Sequence, residues 1–244
     1  MHLLKEKAKF MESIASYLKD HGNILIPIIM FSVIGLIAIV AFYFSDKKII
    51  IRAFKKSRKK SINSVKNNEY VKIIGKAKHV GDSLIAPLSG RPCVYYHVIV
   101  EAKANKNWKN IINDEKLQDF FIESNSELAL IKINDLENKM RRFYMVKDYK
   151  KSSGFNNDTT EKLESYLRLH NKKSIGFLGF NKTMRYTESI IALNEPIGLK
   201  GLAQWKSINT PIDGYSYSKI LTLTGTKKQK LLLTDEPKAL REWL

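Results

Sequence analysis

The chain has 244 residues, 44% of them hydrophobic, and a formal net charge of +18. That is enough for one domain with a sizeable core, and the basic balance points to acidic partners such as a lipid surface or nucleic acid. A single cysteine, Cys93, excludes a disulfide framework, and five scattered histidines without any C-x-x-C spacing exclude paired zinc modules.

In chain order, residues 1–22 form a polar leader. Leu4, Met11, Ile14, Ala15 and Leu18 recur at three- and four-residue steps among Lys5, Glu6, Lys9, Glu12 and Lys19, which predicts a short amphipathic helix. It suits a bilayer surface, the soluble domain or a partner helix. Residues 23–45 are predicted to be a transmembrane helix. Ile24 to Phe44 carries no charge, and at about 1.5 Å per residue it reaches roughly 31 Å, the thickness of the hydrocarbon layer. Pro27 is expected in the first turn, where its missing N–H matters least. A cleaved signal peptide is disfavoured by the long apolar core, the long polar leader and the lack of a small-x-small site.

Residues 46–66 read as a basic juxtamembrane linker. From Asp46 to Lys60, Lys47, Lys48, Arg52, Lys55, Lys56, Arg58, Lys59 and Lys60 against the single Asp46 give eight minus one, or +7. Four lysines precede the span, so the charge rule places the C-terminal domain in the cytoplasm, where a free thiol is at home. Such a cluster attracts anionic headgroups by roughly 1 kcal/mol per residue near the surface. Anchoring is the plainer use, and a specific anionic-lipid site is the sharper one. Nucleic acid is disfavoured, because no RNP-like or helix-turn-helix pattern accompanies the charge.

Residues 67–244 read as a single β-rich domain, making the fold class α+β, mainly β. Strands are predicted at Tyr70–Lys78, Pro92–Ala102, Asp119–Glu123, Leu128–Ile133, Arg141–Val146, Arg185–Leu193, Pro196–Gln204, Tyr217–Thr224 and Lys230–Leu233. Helices are expected over Thr160–His170 and after Asp235, with Asp235 as cap and Pro237 in the first turn. Lys150–Asp158 reads as an exposed loop, and GFLGF at Gly176–Phe180 as a bend. VKIIGKAK at Val71 and IGLKGLAQ at Ile197 share an order of apolar strand, Gly, any residue, Ala, which either marks two similar β units or arises by chance.

The most informative block is LIAPLSGRPCVYYHVIVE, Leu84 to Glu101. Pro87, Ser89, Gly90 and Pro92 crowd a turn before a run of β-branched and aromatic residues. Strict alternation puts Val94, Tyr96, Val98 and Val100 on an apolar face and Cys93, Tyr95, His97, Ile99 and Glu101 on a mixed one. A second stretch, MRYTESIIALNEPIGLKGLAQ, runs from Met184 to Gln204. Together these resemble the two signatures of the BAM or GIDE domain, found in mitochondrial RING-type ubiquitin ligases and in many bacterial membrane proteins. The likeness covers about two thirds of the chain, with no recognisable motif from Ala102 to Thr183. It implies structural roles for Pro87, Ser89, Gly90, Pro92, Cys93, Tyr96, Glu101, Arg185 and Gly201. It also implies ubiquitin transfer, but the RING zinc ligands are missing. In the mitochondrial relatives the domain faces the intermembrane space, against the orientation given by the charges here.

No nucleophile elbow, phosphate loop or H-E-x-x-H pair occurs. Cys93 with His97 two positions beyond Tyr95 is a conceivable Cys–His pair, and a buried small hydrophobe is the plainer reading. Glu101 and Glu188 are expected to pair with Arg or Lys, Arg185 among them. His79 with His97 is too sparse for a metal, so no metal or cofactor is expected. The expected function is a non-catalytic partner-binding or scaffold module at the membrane, with Arg91, Tyr95 and Glu188 as contacts to an unidentified protein. Three alternatives stay open: a ubiquitin-ligase-like protein acting without its own RING, an enzyme with a dispersed site, and an anionic-lipid sensor.

Overall fold

The structure, a computed structural model, describes residues 2–134, 136–154, 159–176, 179–208 and 218–241. The chain divides into two compact units, up to Ile49 and from Ile50 onward.

The first unit is dominated by one helix, α1, His2–Tyr43. Leader and span, expected as separate elements, are continuous, and Pro27 lies inside the helix rather than in a first turn. Proline is tolerated within apolar spanning helices at the cost of one backbone bond. Residues Asn23–Tyr43 have a mean hydropathy of 2.9 and none is buried, so this helix is long and apolar enough to cross a membrane.

The second unit begins within α2, Asp46–Lys55. Its Ile50 and Phe54, one turn apart, bury against Leu232 and Ala239. The segment read as a linker therefore carries a packed helix, its short apolar stripe hidden among the cations. Gly198 makes room for it: a Cβ there would come within 2.4 Å of the Phe54 ring and 2.9 Å of Leu240.

Five strands close a barrel: β1 Tyr70–His79, β5 Phe120–Ser124, β6 Glu127–Ile131, β10 Pro196–Ser207 and β11 Lys219–Thr224. The order is β1-β5-β6-β11-β10 with β10 returning to β1, and only β6–β11 is parallel within the ring. Numbered within the barrel, this is 1-2-3-5-4-1, the connectivity of an OB-fold. Ile73, Ile122, Ile131, Leu199 and Leu223 fill the interior. Gly75 lets β1 bend between two partners, since a Cβ there would lie 2.2 Å from the Glu123 carbonyl oxygen. β12, Leu231–Thr234, extends the edge of β10 beyond β11 and pairs in parallel with β7, Arg141–Tyr144.

The echo between β1 and β10 is structural. NEYVKIIGKA from Asn68 and NEPIGLKGLA from Asn194 run antiparallel as neighbours. Both asparagines have positive φ, 62° and 65°. The exchange is reciprocal: Asn68 N–H donates to Ala203 and Ala203 N–H to Glu69, while Asn194 N–H donates to Ala77 and Ala77 N–H to Glu195. The two segments thus occupy equivalent places about a local twofold.

A second sheet is inserted between barrel strands. β3, Pro92–Ala104, has β2 (Leu84–Ile85) and β4 (Asn107–Leu117) on one edge. On its other edge lie β9 (Met184–Ala192) and then β8 (Tyr149–Ser153). Helix α3, Glu161–Leu169, is capped by Thr160, whose side chain accepts the Leu163 N–H at 3.3 Å. It packs Leu163, Tyr166 and Leu167 onto Val98, Val100, Ile112 and Tyr186.

Several expectations change. β4 has no counterpart in the sequence reading, because most of its residues are polar and exposed and only Ile112 is buried. Lys150–Ser153 belongs to β8 rather than a loop, paired to β9, and residues 155–158 lie outside the described residues, as do parts of the GFLGF bend and the start of the Tyr217 strand. No helix follows Asp235 among the described residues. Two turns replace it, Ala239 N–H to Glu236 and Leu240 N–H to Pro237, because Asp235 accepts the distant Val146 N–H at 2.8 Å instead of capping. The alternation in β3 also breaks. The register against β9 slips between Cys93 and Tyr95, and this bulge turns Val94 toward the barrel core with Tyr95 while Cys93 joins Tyr96 and Ile190 on the other side.

Candidate functional site

The two stretches that carry the sequence signal form adjacent strands, with Glu101 opposite Arg185 and Val98 opposite Glu188. Beneath the turn Pro87–Pro92 lies Glu188, fully buried. Its Oε1 accepts the Leu88 N–H at 2.7 Å and its Oε2 the Ser89 N–H at 2.9 Å. Leu88 is buried against α3. Gly90, at φ 74°, donates its N–H to Ala86, and Ala86 donates to Arg91; the positive φ is what glycine supplies here. Lys162 of α3 donates to the Ser89 carbonyl at 3.4 Å. The turn is thus braced from below, from the side and internally.

What it presents outward is small. Ile85 is 58% exposed, beside exposed Gly90, Arg91 and Pro92, with Pro87 half-buried. Arg91 Nη1 lies 3.6 Å from Asp148 Oδ1. Of the three expected contacts, Arg91 alone is at the surface. Glu188 has its two carboxylate oxygens occupied by amides, and Tyr95 is only 3% exposed, so both are corrected to structural roles. Local sequence does not report a loop folding over one face of these strands or a barrel over the other.

Tyr95 donates to Glu115 Oε1 at 3.0 Å, Glu115 accepts from Arg141 Nη2 at 2.7 Å, and Phe143 meets the Tyr95 ring edge-on at 6.0 Å. Burial raises the Tyr95 phenol far above its ordinary pKa. Tyr96 shares Asp114 Oδ2 with Tyr166, at 3.4 and 2.8 Å, and burial pushes its pKa up to about 12. Glu101 and Arg185 form the expected pair, bidentate at 2.5 and 2.9 Å, with the guanidinium over Trp108 at 4.4 Å. The hydrogen bond from Arg185 holds Glu101 below the usual carboxylate range. Gly201 sits where β11 gives way to β12, leaving no room for a Cβ, which would be 2.8 Å from Leu231.

Cys93 and His97 do not meet. Cys93 is buried with Ala86 and Ile190, and burial, followed by the Glu188 charge, pushes its thiol up to about 11. His97, across the bulge, donates Nε2–H to Asn113 Oδ1 at 2.6 Å. A cleft of about 150 Å³ contains His97, Tyr95, Lys147 and Ser189 but excludes Cys93. His79 lies in the barrel strand β1, not beside His97. Among the described residues no group of three His, Cys, Asp or Glu could hold a metal.

Sequence reasoning missed a set of carboxylates that bind backbone amides where connections converge. Asp235 takes Val146 N–H, Asp148 takes Ile190 N–H at 3.0 Å, and Glu195 takes Ala192 N–H at 2.7 Å. Burial raises Asp235 to about 7, and the charges of Glu195 and Asp148 add to it. Their signal was only an acidic residue just after or before a strand.

The basic residues at 47–60 are unequally placed. Lys60 pairs with Glu69, Lys48 lies over the Phe42 ring at 4.4 Å, and Lys47, Arg52 and Lys59 are already engaged. Lys55, Lys56 and Arg58 are exposed. Two wider clefts, of about 490 and 270 Å³, share Leu128 on the outer side of β5 and β6. No protein-family model matches this chain, and it has no match among curated proteins or solved structures.

Proposed function

We propose that this is a single-pass membrane protein of the BAM/GIDE type whose β-rich domain binds a partner protein and performs no chemistry. The observation carrying this reading is the braced turn Pro87–Pro92, which holds Ile85, Arg91 and Pro92 outward at little entropic cost to a partner. Buried Glu188 does the bracing. The pairing of the two signature strands supports the family resemblance, and the separation of Cys93 from His97 removes the one nucleophile–base pair suggested by sequence. The lysine and arginine excess after the apolar stretch supports a cytoplasmic domain. A ubiquitin-ligase-like role would require a RING from another subunit.

The test is affinity capture after in-cell crosslinking, comparing the full chain with its Ile85→Lys/Arg91→Glu variant. A protein captured by the parent and lost from the folded variant supports the reading. Identical captures refute the turn as the contact surface.

A further inference from the structure

In the inserted sheet, Val98, Val100 and Tyr186 turn toward α3. The alternate residues His97, Ile99, Thr187 and Ser189 therefore point to the opposite face, and all four line one cleft of about 150 Å³. His97 lies directly opposite Ser189, and Ile99 opposite Thr187, pairs whose Cβ atoms stand about 5 Å apart. Lys147 joins the lining from the β7–β8 connection, which is fastened alongside β9. There Asp148 donates its N–H to the Glu188 carbonyl at 3.0 Å and accepts the Ile190 N–H at 3.0 Å. Phe143 and Met145 add apolar wall.

The polar groups of this cleft are unspent. Among the described residues the Thr187 and Ser189 hydroxyls make no hydrogen bond, and the Lys147 ammonium makes neither a hydrogen bond nor an ion pair. His97 uses one ring nitrogen on Asn113 and keeps the other. The neighbouring carboxylates have donors of their own. Glu101, which the Lys147 charge also reaches, is held bidentately by Arg185. Glu115 is taken by Tyr95 and Arg141, and Asp148 by the Ile190 amide and Arg91. Lys147 is thus a cation in excess beside two free hydroxyls, and a few convergent polar groups over apolar walls mark a small-ligand site. With His97 neutral the sum is one positive charge, which suits a monoanion, and a carboxylate accepts from ammonium and hydroxyl together. The volume equals about five water molecules, and Ile99, Phe143 and Met145 favour a short hydrocarbon body.

We propose that this cleft binds a small aliphatic monocarboxylate, with Lys147 and the hydroxyls of Thr187 and Ser189 on its carboxylate and Ile99, Phe143 and Met145 around its chain. None of these residues belongs to the turn Pro87–Pro92, so the site does not rest on the partner-binding reading. All of them lie in the second unit. His97, half-buried in the lining, reports occupancy.

The full chain in detergent, carrying isotope-labelled histidine, is titrated with sodium butyrate at constant pH, against sodium chloride at equal concentration. The His97 resonances, identified by their loss in His97→Gln, should shift and saturate with butyrate and not with chloride. Lys147→Gln, at an exposed position, should weaken binding about tenfold, the weight of one charge-assisted hydrogen bond. Ser189→Ala should weaken it about threefold, as for a neutral one. The absence of a saturable His97 shift by about 10 mM butyrate overturns the site. Equal affinity for butanol, or parent-like butyrate binding in Lys147→Gln, overturns the role of the charge. Equal affinity for inorganic phosphate overturns the carboxylate assignment. Partner capture, scored separately, is unaffected by any of these results.

Discussion

Replacing Glu188 should loosen the turn and the domain together. Its carboxylate accepts two buried amide hydrogen bonds, at 2.7 and 2.9 Å. Bonds to a charged group contribute about 1.5–3 kcal/mol each, and stranding a buried donor forfeits its solvation as well. Glu188→Ala removes both acceptors and leaves a void under Leu88, so a loss of about 3–5 kcal/mol is expected. For a unit of this size each kcal/mol lowers Tm by roughly 2–4 °C, giving a fall on the order of 10 °C. Glu188→Gln keeps one acceptor but turns an N–H toward an amide donor, and should lose about half as much. The assay is thermal unfolding of the detergent-solubilised chain, joined to amide hydrogen exchange at Leu88 and Ser89. In the variants these two amides should exchange much faster than those of the barrel strands. A loss below about 1 kcal/mol, or amides that already exchange freely in the parent, would refute the bracing role.

Asp235 titrates at about 7 when folded against an ordinary 3.8, so the folded chain holds this proton more tightly than the unfolded chain. Stability from this group is therefore present at low pH and lost as pH rises from about 4 through 7. Asp235→Asn keeps the acceptor for Val146 and should raise stability by about 1–3 kcal/mol at pH 8, with the gain shrinking below pH 6; an equal gain at both pH values would contradict the burial argument. Cys93, with its thiol at about 11, should resist iodoacetamide at neutral pH in the folded chain and react only on unfolding, and rapid native-state alkylation would count against it. Gly198→Ala puts a methyl within 2.4 Å of Phe54 and should lower stability by about 1–3 kcal/mol; an unchanged Tm would show that α2 docks more loosely than described.

Local chemistry made much of this molecule legible. An uncharged run long enough to span a bilayer needs only counting, and the aromatic and β-branched residues after Pro92 announce a strand. Thr160 ahead of Leu163, Tyr166 and Leu167 announces α3. What stayed hidden depends on partners distant in sequence. The bulge at Cys93–Tyr95 exists because β3 must serve the barrel core at one end and the α3 layer along the rest, and no period within the strand records that division. β4 is held by pairing with β3 rather than by its own composition. Glu188 looked like a mid-strand surface carboxylate because the turn that buries it lies a hundred residues away. In α2, three isoleucines and a phenylalanine among cations read as linker until Gly198 supplies the groove.

The central claim, that the braced turn is where a partner binds, is tested most directly by placing a photo-crosslinking amino acid at Ile85 in the full-length membrane-embedded chain. A matching probe at Lys106, on the exposed β3–β4 connection, serves as comparison. The account predicts a discrete protein adduct from Ile85 that is absent from Lys106 and disappears with Arg91→Glu. Adducts identical at both positions, or none from Ile85, would contradict it.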